Sequence, residues 1–230
     1  MSRARPRIDV REPYFTPESI DQEARVMLEQ VQNLREKHRS KYAPERSALL
    51  VLDMQRFFLE ESSHAFIPSA KTISRRIKHL IEAFKSRHRP VIFTRHINSP
   101  GNSGRMAKWW QDLITAESPL SHIVPELDSR AGLVIEKTQY DAFYGTQLEE
   151  ALKEQGVGQV VICGVMTHLC CETTARSAFV RGFEVLFTID GTATYNKGFH
   201  GATLLNLAHG FAYPVLVEEI LAAFGRRDDS

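Results

Sequence analysis

The chain has little of what would fasten it to a membrane, a polyanion or an oxidising compartment. Cysteine is scarce: three residues among 230. An odd, small number in a chain long enough to bury its own core gives no disulfide framework and points to a reducing, cytoplasmic setting. No apolar run approaches the roughly 20 residues needed to span a bilayer. The opening Met1-Ser2-Arg3-Ala4-Arg5-Pro6-Arg7 is basic with no apolar stretch behind it, so it does not read as a secretory signal. Neither sign of charge predominates, with 29 Lys and Arg against 28 Asp and Glu. Because the basic residues are interspersed with acidic ones, neither nucleic acid nor an acidic membrane is an expected partner. Repeats and low-complexity segments are also missing. What remains is 43% hydrophobic and 25% charged, an ordinary globular composition that one large domain accommodates.

Residues 1–44 differ from the rest and read as an N-terminal extension. Thr16-Pro17-Glu18 is a helix start, with a capping hydroxyl, proline at the first helical position and an acid in the first turn. Ile20, Ala24, Met27, Val31 and Leu34 then recur every three or four residues, one apolar stripe on a helix reaching about His38. Such a stripe either packs back on its own domain or clasps a second subunit. Residues 45–225 form the main domain. Six apolar runs follow one another: Ala48 to Leu52, Pro90 to Thr94, Gly132 to Ile135, Gln159 to Cys163, Phe183 to Ile189 and Tyr213 to Val217. Runs without polar alternation are what strands buried on both faces look like. Helical stretches separate them, including the stripe Ile73, Ile77, Leu80, Ile81 and Phe84 and the segments Thr174 to Arg181 and Thr203 to Ala208. Strands alternating with helices imply right-handed crossovers and a parallel sheet covered on both faces. The predicted fold class is three-layer α/β/α.

In a parallel sheet the residues just past each strand gather at one edge, where open α/β proteins keep their ligands. The first strand ends at Asp53, the third at Lys137, and the fourth runs into the turn Gly164-Val165-Met166-Thr167-His168-Leu169-Cys170-Cys171. A carboxylate, an ammonium and a thiol from three separate places make a set suited to covalent catalysis by sulfur. A thiol in the first turn of a helix also meets free backbone N–H groups and the positive end of the macrodipole, which favour thiolate over thiol. Asp53 could take the thiol proton while Lys137 holds the charge. Each residue also has a plainer reading: a turn-capping acid, a solvated lysine, an inert buried cysteine. Cys163 lies inside a strand and belongs to the core. Periodicity alone does not choose between Cys170 and its neighbour Cys171.

Asp53-Met54-Gln55, Glu136-Lys137-Thr138-Gln139-Tyr140-Asp141-Ala142-Phe143-Tyr144-Gly145-Thr146 and Gly164-Val165-Met166-Thr167-x-x-Cys170 with Thr174-Ala175 together resemble the isochorismatase-like cysteine hydrolase superfamily, which includes nicotinamidases, N-carbamoylsarcosine amidase, ureidoacrylate amidohydrolase and isochorismatase. The resemblance covers about residues 45–222. It implies a parallel six-stranded, Rossmann-like sheet and a catalytic triad of Asp53, Lys137 and Cys170. It further implies a non-proline cis peptide at Val165–Met166, with the backbone N–H groups of Met166 and Cys170 as the oxyanion hole.

Nicotinamidases of that superfamily hold a metal with an acid and histidines just after the second strand. This chain reads Phe93-Thr94-Arg95-His96-Ile97-Asn98 there, with Arg95 at the acid's position. One histidine without a carboxylate partner is a poor metal site, so no metal and no other cofactor are expected, and nicotinamide becomes less favoured. Arg95 and His96 could instead bind a substrate carboxylate, or Arg95 could pair with a neighbouring acid. Phe57, Phe58, Trp109, Trp110, Tyr140, Phe143 and Tyr144 fall where pocket walls are expected, and Gln55 and Thr167, beside the acid and the nucleophile, complete the candidate substrate contacts. His168 reads as structural or as part of the pocket rim, and Ser99 to Gly104 as a flexible, lid-like connection. The leading expectation is a hydrolase of a small amide, ureide or carbamoyl compound acting through a thioester. One alternative keeps the fold but makes Asp53 the acid of an isochorismatase-type vinyl ether hydrolase; another is a non-catalytic oligomeric partner protein. The expected partner is a small molecule, with assembly into a dimer or tetramer.

Overall fold

The six apolar runs become strands because each is too short and too uniformly apolar for an amphipathic helix and is punctuated by turn residues. The computed structural model describes residues 10–38, 41–110 and 112–225; the basic opening segment, residues 1–7, lies outside them. Strands β1 (Ser47–Leu52), β2 (Val91–His96), β3 (Leu133–Lys137), β4 (Gln159–Val165), β5 (Glu184–Ala193) and β6 (Tyr213–Val215) form one sheet in the order β3-β2-β1-β4-β5-β6. Every pairing is parallel. The helices are α1 (Ile20–His38), α2 (Arg56–Leu59), α3 (Ala70–Ser86), α4 (Met106–Trp109), α5 (Leu148–Glu154), α6 (Glu172–Val180), α7 (Lys197–Gly210) and α8 (Val217–Gly225). They flank the sheet, with α3 beside α8 and α6 beside α7, giving the three-layer α/β/α architecture.

The strand order reverses between β1 and β4, the crevice where such sheets bind ligands. The two strands approach closely there. Gly164 has φ +114°, and a Cβ on it would lie 2.1 Å from the carbonyl oxygen of Leu52. Only glycine lets β4 hand over to the Cys170 turn at this height.

Two readings of the strands need correction. The third apolar run does not lie buried on both faces: Leu133 and Val134 are exposed, because β3 is an edge strand. The fifth strand continues past Ile189 to Ala193, through polar residues that an apolar run does not flag. Helix α1 starts at Ile20 after the Thr16-Pro17 turn, and its stripe residues Ile20, Ala24, Met27 and Val31 are buried where α1 meets α7, β5 and β6. Among the described residues no helix is long and apolar enough to cross a membrane.

Candidate active site

The carboxyl ends of β1, β2, β3 and β4 bring the polar residues together. Asp53 follows β1 with φ +50°, a left-handed conformation uncommon for a residue with a Cβ. Lys137 closes β3, and Cys170 lies in a π-helical turn, Thr167–Cys171, between β4 and α6. Such turns recur at functional sites. The peptide bond Val165–Met166 is cis. Lys137 Nζ stands 2.8 Å from Asp53 Oδ2, 3.4 Å from Cys170 Sγ and 2.9 Å from the Gln139 carbonyl oxygen. Lys137 and Asp53 are both almost wholly buried. Thr94 Oγ1 donates to Asp53 Oδ1 at 2.6 Å. Asp53 Oδ2 receives no directed hydrogen bond, although it faces the ammonium as an ion pair and the Cys170 thiol lies within reach of the same carboxylate. One carboxylate oxygen is thus anchored while the other stays open to a proton.

His96 ends β2, in register with Lys137. Its Nε2 lies 2.7 Å from Asn98 Oδ1, and Asn98 Nδ2 donates to the Thr138 carbonyl at 3.0 Å. That bonding assigns the ring proton to Nε2 and leaves Nδ1, 3.5 Å from Lys137 Nζ, as an acceptor.

Cys170 opens onto a cavity of about 60 Å³, room for roughly five waters at about 10–15 Å³ each. Of the residues singled out from the sequence, Phe58, His96, Trp110, Tyr140, Met166 and Cys170 line it, as does Phe57. Trp110 Nε1 donates to Tyr140 Oη at 2.7 Å, joining two loops across the wall. Four candidate contacts are not on the wall. Successive residues of a strand point to opposite faces, so Arg95 turns away from the His96 side and bonds Glu136 and Ser121. The Gln55 carboxamide is consumed by the backbone of His96 and Ser121. Phe143 stacks on Phe183 under the Arg181 guanidinium, and Thr167 is buried beneath the turn. Trp109 and Tyr144 are largely exposed and also lie off the wall. Sequence reasoning missed Tyr195, Leu169, Met106 and the facing pair His64 and Asp112, all on the wall. The extra length of β5 was the one signal that could have placed Tyr195 at this edge. A larger cleft lies elsewhere, at the amino ends of the strands near Arg46, Arg89 and Gln159, and does not reach Asp53, Lys137 or Cys170.

Residues 47–219 match the Isochorismatase domain family. The chain belongs to the isochorismatase family. It is 42% identical over 174 residues to Nicotinamidase 3 of Arabidopsis thaliana, covering 74% of this chain and 84% of that one. It is 30% identical over 185 residues to Enterobactin synthase component B of Escherichia coli (strain K12), a match covering 79% of this chain and 65% of that protein's length. Among solved structures, a cysteine hydrolase from Pseudomonas syringae pv. phaseolicola 1448A superposes with a TM-score of 0.76 at 25% identity, covering 81% of this chain and 96% of that one.

The electrostatics of this isochorismatase-family hydrolase correct one expectation. Burial pushes the Cys170 thiol up to about 12, and the Asp53 carboxylate adds to the effect, with Lys137 opposing it. Loss of water and the adjacent anion both oppose the thiolate that a helix start favours. Burial also raises Asp53, but Lys137 and the other polar neighbours overcome it and hold the carboxyl below its ordinary value. Lys137 is raised on balance: burial lowers it, and Asp53 and Cys170 more than compensate. The resting site is a carboxylate, an ammonium and a neutral thiol. No three His, Cys, Asp or Glu side chains among the described residues are grouped to hold a metal. With its Nε2 bonded to Asn98 and its Nδ1 facing an ammonium, His96 does not fit one.

Two buried histidines, His96 and His200, and the half-buried His168 should make the fold acid-sensitive. Burial lowers His96 to about 4, His168 to about 4 and His200 to about 3. Between pH 6.5 and about 4 the unfolded chain therefore binds protons that the native protein refuses, so stability rises with pH across that window. Thermal denaturation should give a Tm that falls steadily from pH 7 to pH 4.5; an unchanged Tm would mean that these rings protonate freely in the folded state.

Proposed function

We propose that this chain hydrolyses a small, flat, uncharged carboxamide through a thioester on Cys170. The observation that carries the reading is one ammonium, Lys137 Nζ, standing 2.8 Å from a carboxylate oxygen and 3.4 Å from a thiol that opens on an aromatic cavity. Cys170 Sγ attacks the amide carbonyl as its proton passes to Asp53 Oδ2, the oxygen that Thr94 leaves free. Because the resting thiol is neutral, attack and proton transfer belong to one step. The oxyanion is held by the N–H groups of Met166 and Cys170; one such donor is typically worth about 10²–10³ in rate. Protonated Asp53 then gives its proton to the leaving nitrogen, the C–N bond breaks and ammonia departs. Water attacks the thioester with Asp53 again as base, the C–S bond breaks, and the sulfur recovers the proton. Lys137 keeps Asp53 ionised at the start of each half-reaction.

The substrate class follows from the wall. Among the described residues it carries no arginine or lysine, while Phe57, Phe58, Trp110, Tyr140 and Tyr195 supply flat apolar surface. An isochorismate-like dicarboxylate would find no lysine or arginine on that wall and would face Asp112. The 42% identical relative, named Nicotinamidase 3, supports returning aromatic carboxamides such as nicotinamide to first place among the amides, against the expectation drawn from Arg95. Purified protein should be tested against aromatic carboxamides, aliphatic amides, ureides, N-carbamoyl compounds and isochorismate, reading ammonia or product release. Fastest turnover is expected on an aromatic carboxamide. Consumption of isochorismate alone would replace this reading with ether hydrolysis, and inertness towards all of them would favour a non-catalytic protein.

A further inference from the structure

Residues ahead of the family match touch two residues of the cavity wall, Tyr195 and His64. The family match begins at residue 47, yet Val10 to Tyr14 are bonded along the loop that carries Tyr195. Glu12 N–H donates to the Tyr195 carbonyl at 2.9 Å, Lys197 N–H to Glu12 Oε1 at 2.8 Å, and Asn196 Nδ2 to the Val10 carbonyl at 3.2 Å. Buried Tyr14 Oη accepts from Thr194 N–H at 3.0 Å and lies 2.8 Å from His200 Nδ1. From this strap the Arg11 side chain bridges two segments that carry wall residues. Its guanidinium carbon lies 4.6 Å from the centroid of the Tyr195 ring, and its Nη2 donates to the carbonyl of His64. Tyr195 follows β5, and His64 belongs to the segment between α2 and α3. Both residues line the cavity, and His64 Nδ1 also pairs with Asp112 Oδ2 at 3.2 Å.

We propose that Arg11 is a positioning residue for the amide site, spanning its mouth and fixing the separation of the Tyr195 and His64 walls, and thereby the size of substrate admitted. This rests on the reading of the cavity as a carboxamide site. A planar guanidinium can lie on an aromatic face and donate in a fixed direction at its edge, whereas a lysine ammonium offers a point charge without that fork. Arg11 is itself exposed, so it acts on the site through the two loops and not as part of the core.

The test uses the full chain as wild type, Arg11→Ala and Arg11→Lys, with two readouts. Alkylation of Cys170 is followed by mass spectrometry using small iodoacetamide and bulkier N-phenylmaleimide, with Cys170→Ala as the blank for Cys163 and Cys171. Loss of one exposed cation–π contact and one hydrogen bond corresponds to about a fivefold to seventyfold change. Arg11→Ala should therefore accelerate N-phenylmaleimide by about that factor and iodoacetamide less than twofold, with Arg11→Lys restoring little of the selectivity. In turnover of the preferred amide, the Arg11→Ala effect should fall on KM rather than kcat. Equal acceleration of both reagents, or none, overturns the proposal. Alkylation needs no substrate, so a chain that hydrolyses no amide yet shows the size-selective change rejects the carboxamide reading while leaving Arg11 as the spanning residue.

Discussion

Cys170→Ala is expected to lower amide hydrolysis by about 10⁴-fold or more, the scale seen when a covalent nucleophile is removed, while the fold stays intact. The thiol is a small buried group beside Lys137 Nζ at 3.4 Å and the Asp53 carboxylate, and that ammonium keeps Asp53 and the Gln139 carbonyl when the sulfur is gone. Replacing it with a methyl group leaves no charge unpaired, so thermal denaturation should show a loss within about 1 kcal/mol. Ammonia release measures the first effect. Asp53→Ala alongside it separates the two chemistries. In thioester chemistry both variants are inactive; in ether hydrolysis with Asp53 as acid, Cys170→Ala stays close to wild type and Asp53→Ala alone is dead. Full activity of a purified Cys170→Ala enzyme would reject the proposed mechanism.

Lys137→Met should cost the native state about 3–5 kcal/mol at neutral pH, because it strands a carboxylate that burial already disfavours. In the wild type, Asp53 is held below its ordinary value despite burial. The stability this contributes is therefore present above the unfolded carboxyl value near 4 and is lost only as pH falls through the lower folded value. With Lys137 gone, burial is left to dominate and the carboxyl titrates upward. The native variant then takes up a proton that the unfolded chain has released, and part of the lost stability returns as pH drops towards 5. Wild type moves the opposite way over that range, because its buried histidines make acid unfavourable. Urea denaturation at pH 7 and pH 5 reads both signs. Hydrolysis by the variant should also be lost, since protonated Asp53 cannot accept the thiol proton. A Lys137→Met protein as stable as wild type at pH 7 would mean that the pair is not ionised in the native state.

Much of the architecture was legible in the chain because short-range pattern carries it. Uninterrupted apolar runs separated by helical stripes produce a parallel sheet, and that sheet places Asp53, Lys137 and the Cys170 turn on one edge. The distinction between Cys170 and Cys171 came from the resemblance, and the structure puts Cys170 on the cavity wall and Cys171 in the core. The misplaced residues share a cause. Arg95 and His96 differ only in which face of β2 they take. Gln55 looks like a free carboxamide until its partners on His96 and Ser121 are known. Leu133 and Val134 read like a central strand, since an apolar run is the same at an edge.

By itself the sequence determined the fold class, the stripe on α1 and which strand ends carry acid, amine and sulfur, because each depends on a local period or on one residue's place after a run. The tertiary structure alone decided the dehydration of the thiol, an aromatic wall without lysine or arginine among the described residues, and the Arg11 contact between the Tyr195 and His64 loops. Those depend on dehydration and on neighbours brought from distant parts of the chain, as when Arg11 meets a carbonyl 53 positions away. Local pattern specifies which elements form; burial and packing specify what each side chain is able to do.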